Sequence, residues 1–339
     1  MDKIKNSHRA DYCMKIIVIK LGALGDVVRT LPIVEVLKKK YPHSELYWVT
    51  KENAIDLFEG NFFIDKVFSI PFNSEEKFDA LYNFDIDKEA ISLASRIKAE
   101  KKYGFCDNDG FPGAFNFGAE YYLNTLFDDE LKKSNRKTYQ EMMFDAAELP
   151  YNKELPKLYL NEKDLSYAKE FIKNNNIQFK NKLIGIHMGA SPRWPSKTWS
   201  EKRLIEFIKE AKNKKYEIMI FGGPDEINKI DILINKLKKI EINVFKNNPN
   251  NSIKEFASLI NLCKKMICSD SFSLHISLAL DKPTIGLFFC TTPHEVEDYG
   301  LLKKIVSPLY EKFFPEKQDQ YSEELINSIT TEEVLNCLE

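Results

Sequence analysis

A carboxylate, Asp26, follows directly on the stretch Gly22-Ala23-Leu24-Gly25, where an apolar run, KIIVIK (15–20), gives way to a helical pattern. Beyond the carboxyl end of a parallel strand is where ligands collect in α/β sheets, so an acid at that corner faces whatever binds. Two roles suit it. It can meet a ligand at the mouth of the sheet, or it can simply start the helix, where its charge suits the dipole by about 0.3–1 kcal/mol. Gly22 and Gly25 would let the backbone turn sharply through regions other residues avoid. The turn lacks the third glycine of a G-x-G-x-x-G fingerprint, which argues against a nicotinamide cofactor here.

Features suited to an anion gather in the second half. SDSFSLH (269–275) follows a strand-like run and opens a helix with several hydroxyls, so its free N–H groups and dipole fit a diphosphate. A plain Ser-rich cap is the alternative there. His275, one turn in, either contacts a phosphate or sugar or is a satisfied structural imidazole. In GGPDE (222–226), Gly222 and Gly223 allow close backbone approach to a nucleotide, and Glu226 either accepts from ribose hydroxyls or starts a helix. The loop HMGASPRWPSKTWS (187–200) carries Arg193, Trp194, Lys197 and Trp199. A lysine aimed at a diphosphate stabilises charge on a leaving group. The competing reading is a solvated loop lysine, against which two tryptophans argue for an ordered loop.

Such residues need a frame that brings strand ends together. Apolar runs at 15–20, 44–50, 65–70 and 78–85 alternate with helical patterns at 26–40 and 88–101, and 104–135 reads as a Gly-, Asn- and aromatic-rich loop. The alternation resumes with strands at 183–189, 216–223, 242–246, 265–270 and 283–289, and helices at 201–215, 225–239, 252–263 and 272–280. The class is α/β, with two Rossmann-like halves joined within 150–182. The expected organisation is a first domain over 1–157 and a second over 158–320. A last helix in 321–339, capped by Thr330 or Thr331, is expected to pack back on the first domain.

With 49 Lys and Arg against 51 Asp and Glu, the net charge of −2 excludes a general nucleic-acid binder. The six cysteines form no C-x-x-C pair, which suggests reduced thiols. The first dozen residues are polar and no apolar run reaches the ~18 residues of a membrane span, so a cytoplasmic protein is expected.

Taken in order, KLGALGDVVRTLP, GASPRWPSKTW, FGGPDE and SDSFSLHISLALDKPTIGLF resemble glycosyltransferase family 9, the ADP-heptose:lipopolysaccharide heptosyltransferases, over roughly 15–310. The resemblance implies a GT-B fold, two Rossmann-like domains facing across a cleft, with the acceptor on the first and the nucleotide-sugar on the second. It makes Asp26 the general base and Lys197 the partner of the departing diphosphate, in a single inverting displacement with no metal ion and no resident cofactor. It assigns donor contacts to Ser191, Arg193, Gly222, Gly223, Glu226, Asp270, Ser271, Phe272, Ser273 and His275, and acceptor contacts to Gly22, Ala23, Gly25 and Arg29. The implied partners are an ADP-sugar and a glycan or glycolipid of the lipopolysaccharide core, with peripheral contact at the inner membrane. Two departures stand out: Phe272 occupies a position where the family usually has Gly, and FFCTTP (288–293) replaces a G-P-T-D-P turn. Two other readings keep the fold: a nucleotide-sugar epimerase or hydrolase, and a non-catalytic nucleotide-sugar-binding protein.

Overall fold

The run Lys15–Ile19 (β1) presents β-branched residues to both faces, and Ile16 through Ile19 are fully buried. A strand of that kind belongs inside a parallel sheet covered by helices on both sides. The computed structural model describes residues 13–178, 182–189, 191 and 193–338. The polar stretch 1–12 lies outside them, as do parts of the 173–182 run and of the 187–200 loop.

In the first lobe β1 is followed by α1 (Leu24–Thr30), α2 (Pro32–Lys40), β2 (Glu45–Thr50), β3 (Lys66–Ser69), β4 (Phe78–Asn83), α3 (Lys88–Arg96), β5 (Ala99–Asn108), β6 (Phe111–Ala114), α4 (Phe117–Phe127), α5 (Asp129–Ser134) and α6 (Tyr139–Ala146). After α7 (Glu162–Asn174), the second lobe contains β7 (Lys182–His187), α8 (Glu201–Asn213), β8 (Tyr216–Phe221), α9 (Ile227–Lys238), β9 (Phe245–Lys246), α10 (Ile253–Leu262), β10 (Lys265–Ser269), α11 (Phe272–Ala279), β11 (Thr284–Phe288) and β12 (Leu302–Val306). The chain ends in α12 (Tyr310–Phe313), α13 (Glu323–Asn327) and α14 (Thr331–Leu335). The sheets run β3-β2-β1-β4-β5-β6 and β12-β11-β10-β7-β8-β9. Pairing is parallel throughout except for the β5–β6 hairpin. Counted from its own first strand, each sheet has the order 3-2-1-4-5-6. The order reverses between β1 and β4 and between β7 and β10, which is where a doubly wound sheet opens a crevice for a ligand.

Several elements differ from expectation for identifiable reasons. The single helix expected over 26–40 is two, because Pro32 opens α2 and its ring and missing N–H cannot continue α1. The expected loop at 104–135 contains the end of β5, then β6, α4 and α5; the Lys- and Glu-rich start of β5 hides a strand at the sheet's margin. The C-terminal segment packs on the second lobe, not on the first. Leu325, Ile329, Val334, Leu335 and Leu338 join the core that covers β7 and β8, and Lys265 Nζ donates to the Cys337 carbonyl at 2.6 Å. Thr330 caps α14 in a reciprocal box with Glu333.

The lobes are fastened to each other at several points. Tyr139 N–H donates to the Glu295 carbonyl at 3.0 Å, and in the segment connecting the lobes Leu158 N–H donates to the Ala279 carbonyl at 3.1 Å. The buried ammonium of Lys254 donates to the Glu59 carbonyl at 2.9 Å. Among the described residues, no helix is long and apolar enough to cross a membrane.

Candidate active site

The loops at both switch points line one cleft between the lobes, with a volume of about 870 Å³. On the first lobe, Asp85 fixes the turn after β1. Its Oδ2 accepts from Leu21 N–H at 2.9 Å and from Gly22 N–H, and lies 3.4 Å from the buried Lys20 ammonium. A side chain at Gly22 would run into Asp85 Oδ2 and Lys20 Nζ, each 3.0 Å from the position of its Cβ. Gly22 and Gly25 therefore serve through lack of bulk; neither has a positive φ, so the expected unusual dihedrals are absent.

The turn delivers Asp26 to the third position of α1. The cap residue is Ala23, so Asp26 is not the cap, and its carboxylate is free for other work. Arg29, one turn on, donates to Asp26 Oδ1 from Nε at 3.1 Å and lies 2.8 Å from it through Nη2. Oδ2 has no protein donor among the described residues. The guanidinium is itself held flat over the Tyr139 ring, 3.7 Å from its centroid, and Tyr139 OH meets Thr30 Oγ1 at 3.0 Å. Burial opposes ionisation of Asp26, but Arg29 and Lys20 outweigh it and hold the carboxyl below its usual range.

On the second lobe, Asp270 stands just beyond β10, with Lys197 Nζ 3.0 Å from Oδ2 and His275 Nε2 3.7 Å from Oδ1. Burial again works against the charge, and Lys197 above all, with Arg29, reverses it, so Asp270 stays ionised. Ser271 caps α11 by backbone only. Its hydroxyl bonds the Ser269 carbonyl and Ser273 Oγ, leaving the first N–H groups of the helix without a side-chain acceptor. The end of the lysine loop, Ser196 to Ser200, is anchored to the C-terminal segment, in keeping with the order its tryptophans suggested. Trp199 Nε1 donates to the Ile329 carbonyl at 3.0 Å, Ser196 Oγ to the Gln320 carbonyl at 2.9 Å, and Ser200 Oγ to Asn327 Oδ1 at 2.6 Å. The C-terminal segment is thus the anchor that aims Lys197.

The two halves of the site touch through Gly25. A Cβ there would stand 2.9 Å from His275 Cδ2. Gly25→Ala should force α1 and α11 apart next to Asp26, at the point where His275 and Phe272 lie against Gly25. We expect about 1–3 kcal/mol lost in thermal denaturation, from overpacking, together with a marked drop in turnover; unchanged melting and turnover would show that the lobes do not meet this closely.

His275 and His187 are both pushed down to about 4, chiefly by burial and, for His275, by the Arg29 charge as well. Both are neutral at physiological pH. Their folded values lie below the ordinary 6.5, so the unfolded chain takes up these protons first as pH falls. Stability present in full above about pH 6.5 should therefore decline toward pH 4, by up to ~3 kcal/mol for His275 alone. A melting curve followed from pH 7 to 4.5 checks this; a flat profile contradicts the buried neutral rings.

Of the residues singled out from sequence, Ala23, Gly25, Asp26, Arg29, Ser191, Arg193, Lys197, Glu226, Asp270, Ser271, Phe272 and His275 all line the cleft. Gly22, Gly222, Gly223 and Ser273 do not. Gly222 is wedged beneath Ile230 and Glu226, where its Cβ would lie 2.6 Å from Ile230 Cδ1. Gly223 N–H donates to Glu226 Oε2 at 2.9 Å, so this pair positions Glu226. Ser273 is fully buried under Ser271. Phe272 stacks on Phe256, with ring centroids 6.1 Å apart, and forms an apolar wall. Sequence reasoning overlooked the Asp85–Lys20 clamp, His187 at the end of β7, and Glu295. The strand-end position of His187 and Asp85 was the available signal for the first two.

A family model described as glycosyltransferase family 9 (heptosyltransferase) matches residues 74–326. Among curated proteins the chain is 22% identical to a lipopolysaccharide heptosyltransferase 1 from Campylobacter coli, covering 96% of this chain and 98% of that protein. Among solved structures it is similar to a glycosyltransferase family 9 protein from Veillonella parvula, with TM-score 0.75 and 19% identity over 96% of this chain and 95% of that one. It is also similar to an E. coli ADP-heptose lipopolysaccharide heptosyltransferase II, with TM-score 0.71 and 17% identity over 96% and 97%. These likenesses fix the architecture as two Rossmann-like lobes of the GT-B kind.

Proposed function

The chain belongs to glycosyltransferase family 9, and we propose from that membership that its cleft moves a heptose from an ADP-sugar to a hydroxyl of the lipopolysaccharide core. The observation that carries this reading is the facing of two charges across the lobe gap. Asp26 Oδ2 stands without a donor on one side, and Lys197 with the first turn of α11 stands on the other.

The acceptor oxygen attacks the anomeric carbon as the bond from that carbon to the diphosphate oxygen breaks, and the hydroxyl proton passes to Asp26 Oδ2. The hydroxyl becomes acidic as its new bond forms, so a carboxylate held ionised by Arg29 is base enough; such transfer contributes about 10²–10⁴ in rate. Attack from the face opposite the leaving group inverts the anomeric centre. The departing ADP keeps its negative charge against the Lys197 ammonium and the open N–H groups of α11, donors already in place before charge develops. Glu226 and Arg193 suit the nucleoside end. In this reading the reaction draws on these side chains and on no resident cofactor, and the glycolipid acceptor is met at the cytoplasmic face of the inner membrane.

The test is to incubate the protein with ADP-heptose and a deacylated core acceptor and to follow both ADP and the glycosylated product. Product formation that needs both substrates supports the reading. ADP or an altered sugar released equally well without acceptor would favour an epimerase or hydrolase instead. Because Phe272 and the 288–293 turn depart from the family pattern, ADP-, GDP- and UDP-sugars belong in a thermal-shift panel, where a ligand at 100 times its Kd adds about 2.7 kcal/mol.

A further inference from the structure

Glu295 is a cleft carboxyl that the mechanism leaves idle. It comes from the loop after β11 on the second lobe, yet its main chain is fastened to the first, because Tyr139 N–H donates to its carbonyl at 3.0 Å. Tyr139 is also the ring beneath Arg29, so Glu295 is registered to the base ion pair and not merely to its own lobe. Each of the other partly buried cleft carboxylates has a protein partner: Asp26 has Arg29, Asp270 has Lys197, and Glu226 has Gly223 N–H. The Glu295 carboxyl has none among the described residues. Four residues earlier in the same loop, the buried Thr291 hydroxyl lines the same cleft and is likewise without a partner.

The Thr291 hydroxyl is withheld from water without a partner, which costs free energy that a ligand supplying the partner recovers, and the partly buried Glu295 carboxyl lines the same cleft with its oxygens uncommitted. The surroundings restrict what that ligand can be. Burial disfavours the Glu295 charge, Arg29 and Lys132 favour it, and Asp270 and Asp26 oppose it. An anionic group placed here would meet three carboxyls, and a cationic group would meet Arg29 and Lys132. A neutral group that both donates and accepts hydrogen bonds suits both kinds of neighbour. Sugar hydroxyls are such groups.

We propose that Glu295, with Thr291 beside it, is a specificity-determining residue that holds hydroxyls of the acceptor sugar next to the attacking oxygen, so that the acceptor seat is built from both lobes. The proposal rests on the sugar-transfer reading above. It places an acceptor contact on the lobe from which only donor contacts were expected, and it gives the altered 288–293 turn a use, since that turn sets where Thr291 and Glu295 stand.

The test compares wild type with Glu295→Gln and Glu295→Ala, using ADP-heptose and a deacylated core acceptor, each varied at saturating levels of the other. ADP affinity by calorimetry and melting temperature serve as checks on the fold. Loss of a hydrogen bond to a charged group predicts an acceptor KM raised roughly 10- to 100-fold in Glu295→Ala, and less in Glu295→Gln, which keeps one acceptor oxygen. Donor KM and ADP affinity should stay within about twofold. An unchanged acceptor KM in an active enzyme overturns the Glu295 assignment alone, as does a rise in donor KM of equal size. A wild-type protein that transfers to no acceptor overturns the sugar-transfer reading, and this inference with it.

Discussion

Asp26→Asn should reduce transfer by about 10²–10⁴ while ADP binding stays within twofold of wild type. The amide keeps the shape of the carboxylate and can still accept from Arg29, and the guanidinium remains on the Tyr139 ring. What is lost is the oxygen able to take the proton. Because Asp26 sits on the first lobe and the proposed diphosphate donors, Lys197 and the start of α11, sit on the second, the two measurements separate cleanly. Steady-state transfer and calorimetric ADP titration of the same preparation make the comparison. Near wild-type turnover would remove Asp26 from the base role, and a parallel fall in ADP affinity would mean that the lobes had shifted.

Lys197→Ala should reduce both turnover and ADP affinity. Removing one preorganised donor from a developing charge costs about 10²–10³ in rate, and in the proposed mechanism the same ammonium holds the product's diphosphate. A second effect must be separated from the first. Asp270 would lose its 3.0 Å partner, and a carboxylate left unpaired in a largely buried site destabilises the fold. The double variant Lys197→Ala with Asp270→Asn removes that burden and should melt closer to wild type while staying as slow as the single variant. If the double variant recovered turnover, Lys197 would be acting only as a counter-ion to Asp270. Unchanged kinetics and ADP affinity in Lys197→Ala would remove it from the site altogether.

Much of this arrangement was legible in the sequence because parallel sheets announce themselves. KIIVIK and KMICSD are apolar without alternation, which marks interior strands, and the residues directly after such strands have one place to go. Asp26 and Ser271 were found that way, and Asp270 through the family resemblance. What escaped depends on pairings between distant residues. Asp85 closes an apparent strand, and nothing local says that it clamps a turn 63 residues upstream. Gly25 reads as a turn former, whereas its lack of bulk matters because His275 of the other lobe lies against it. Glu295 falls in a loop with no periodicity, and its setting arises from charges on both lobes. β5 and β12 were missed because AEKKYGFCDN and LKKIV each carry adjacent lysines, which interrupt the apolar signal of strands far from the sheet centre. The C-terminal helices carry an amphipathic pattern that fits either lobe. The choice was made by Trp199 and Lys265, whose donors meet the Ile329 and Cys337 carbonyls.

A crystal structure of the full chain with a non-transferable ADP-heptose analogue would test most directly whether the lobes assemble one reacting centre. The expected result is a diphosphate against the first turn of α11 and Lys197 Nζ, with the anomeric carbon turned toward Asp26 Oδ2 and room between them for one hydroxyl. A diphosphate bound elsewhere in the cleft, or an anomeric carbon turned away from Asp26, would contradict it.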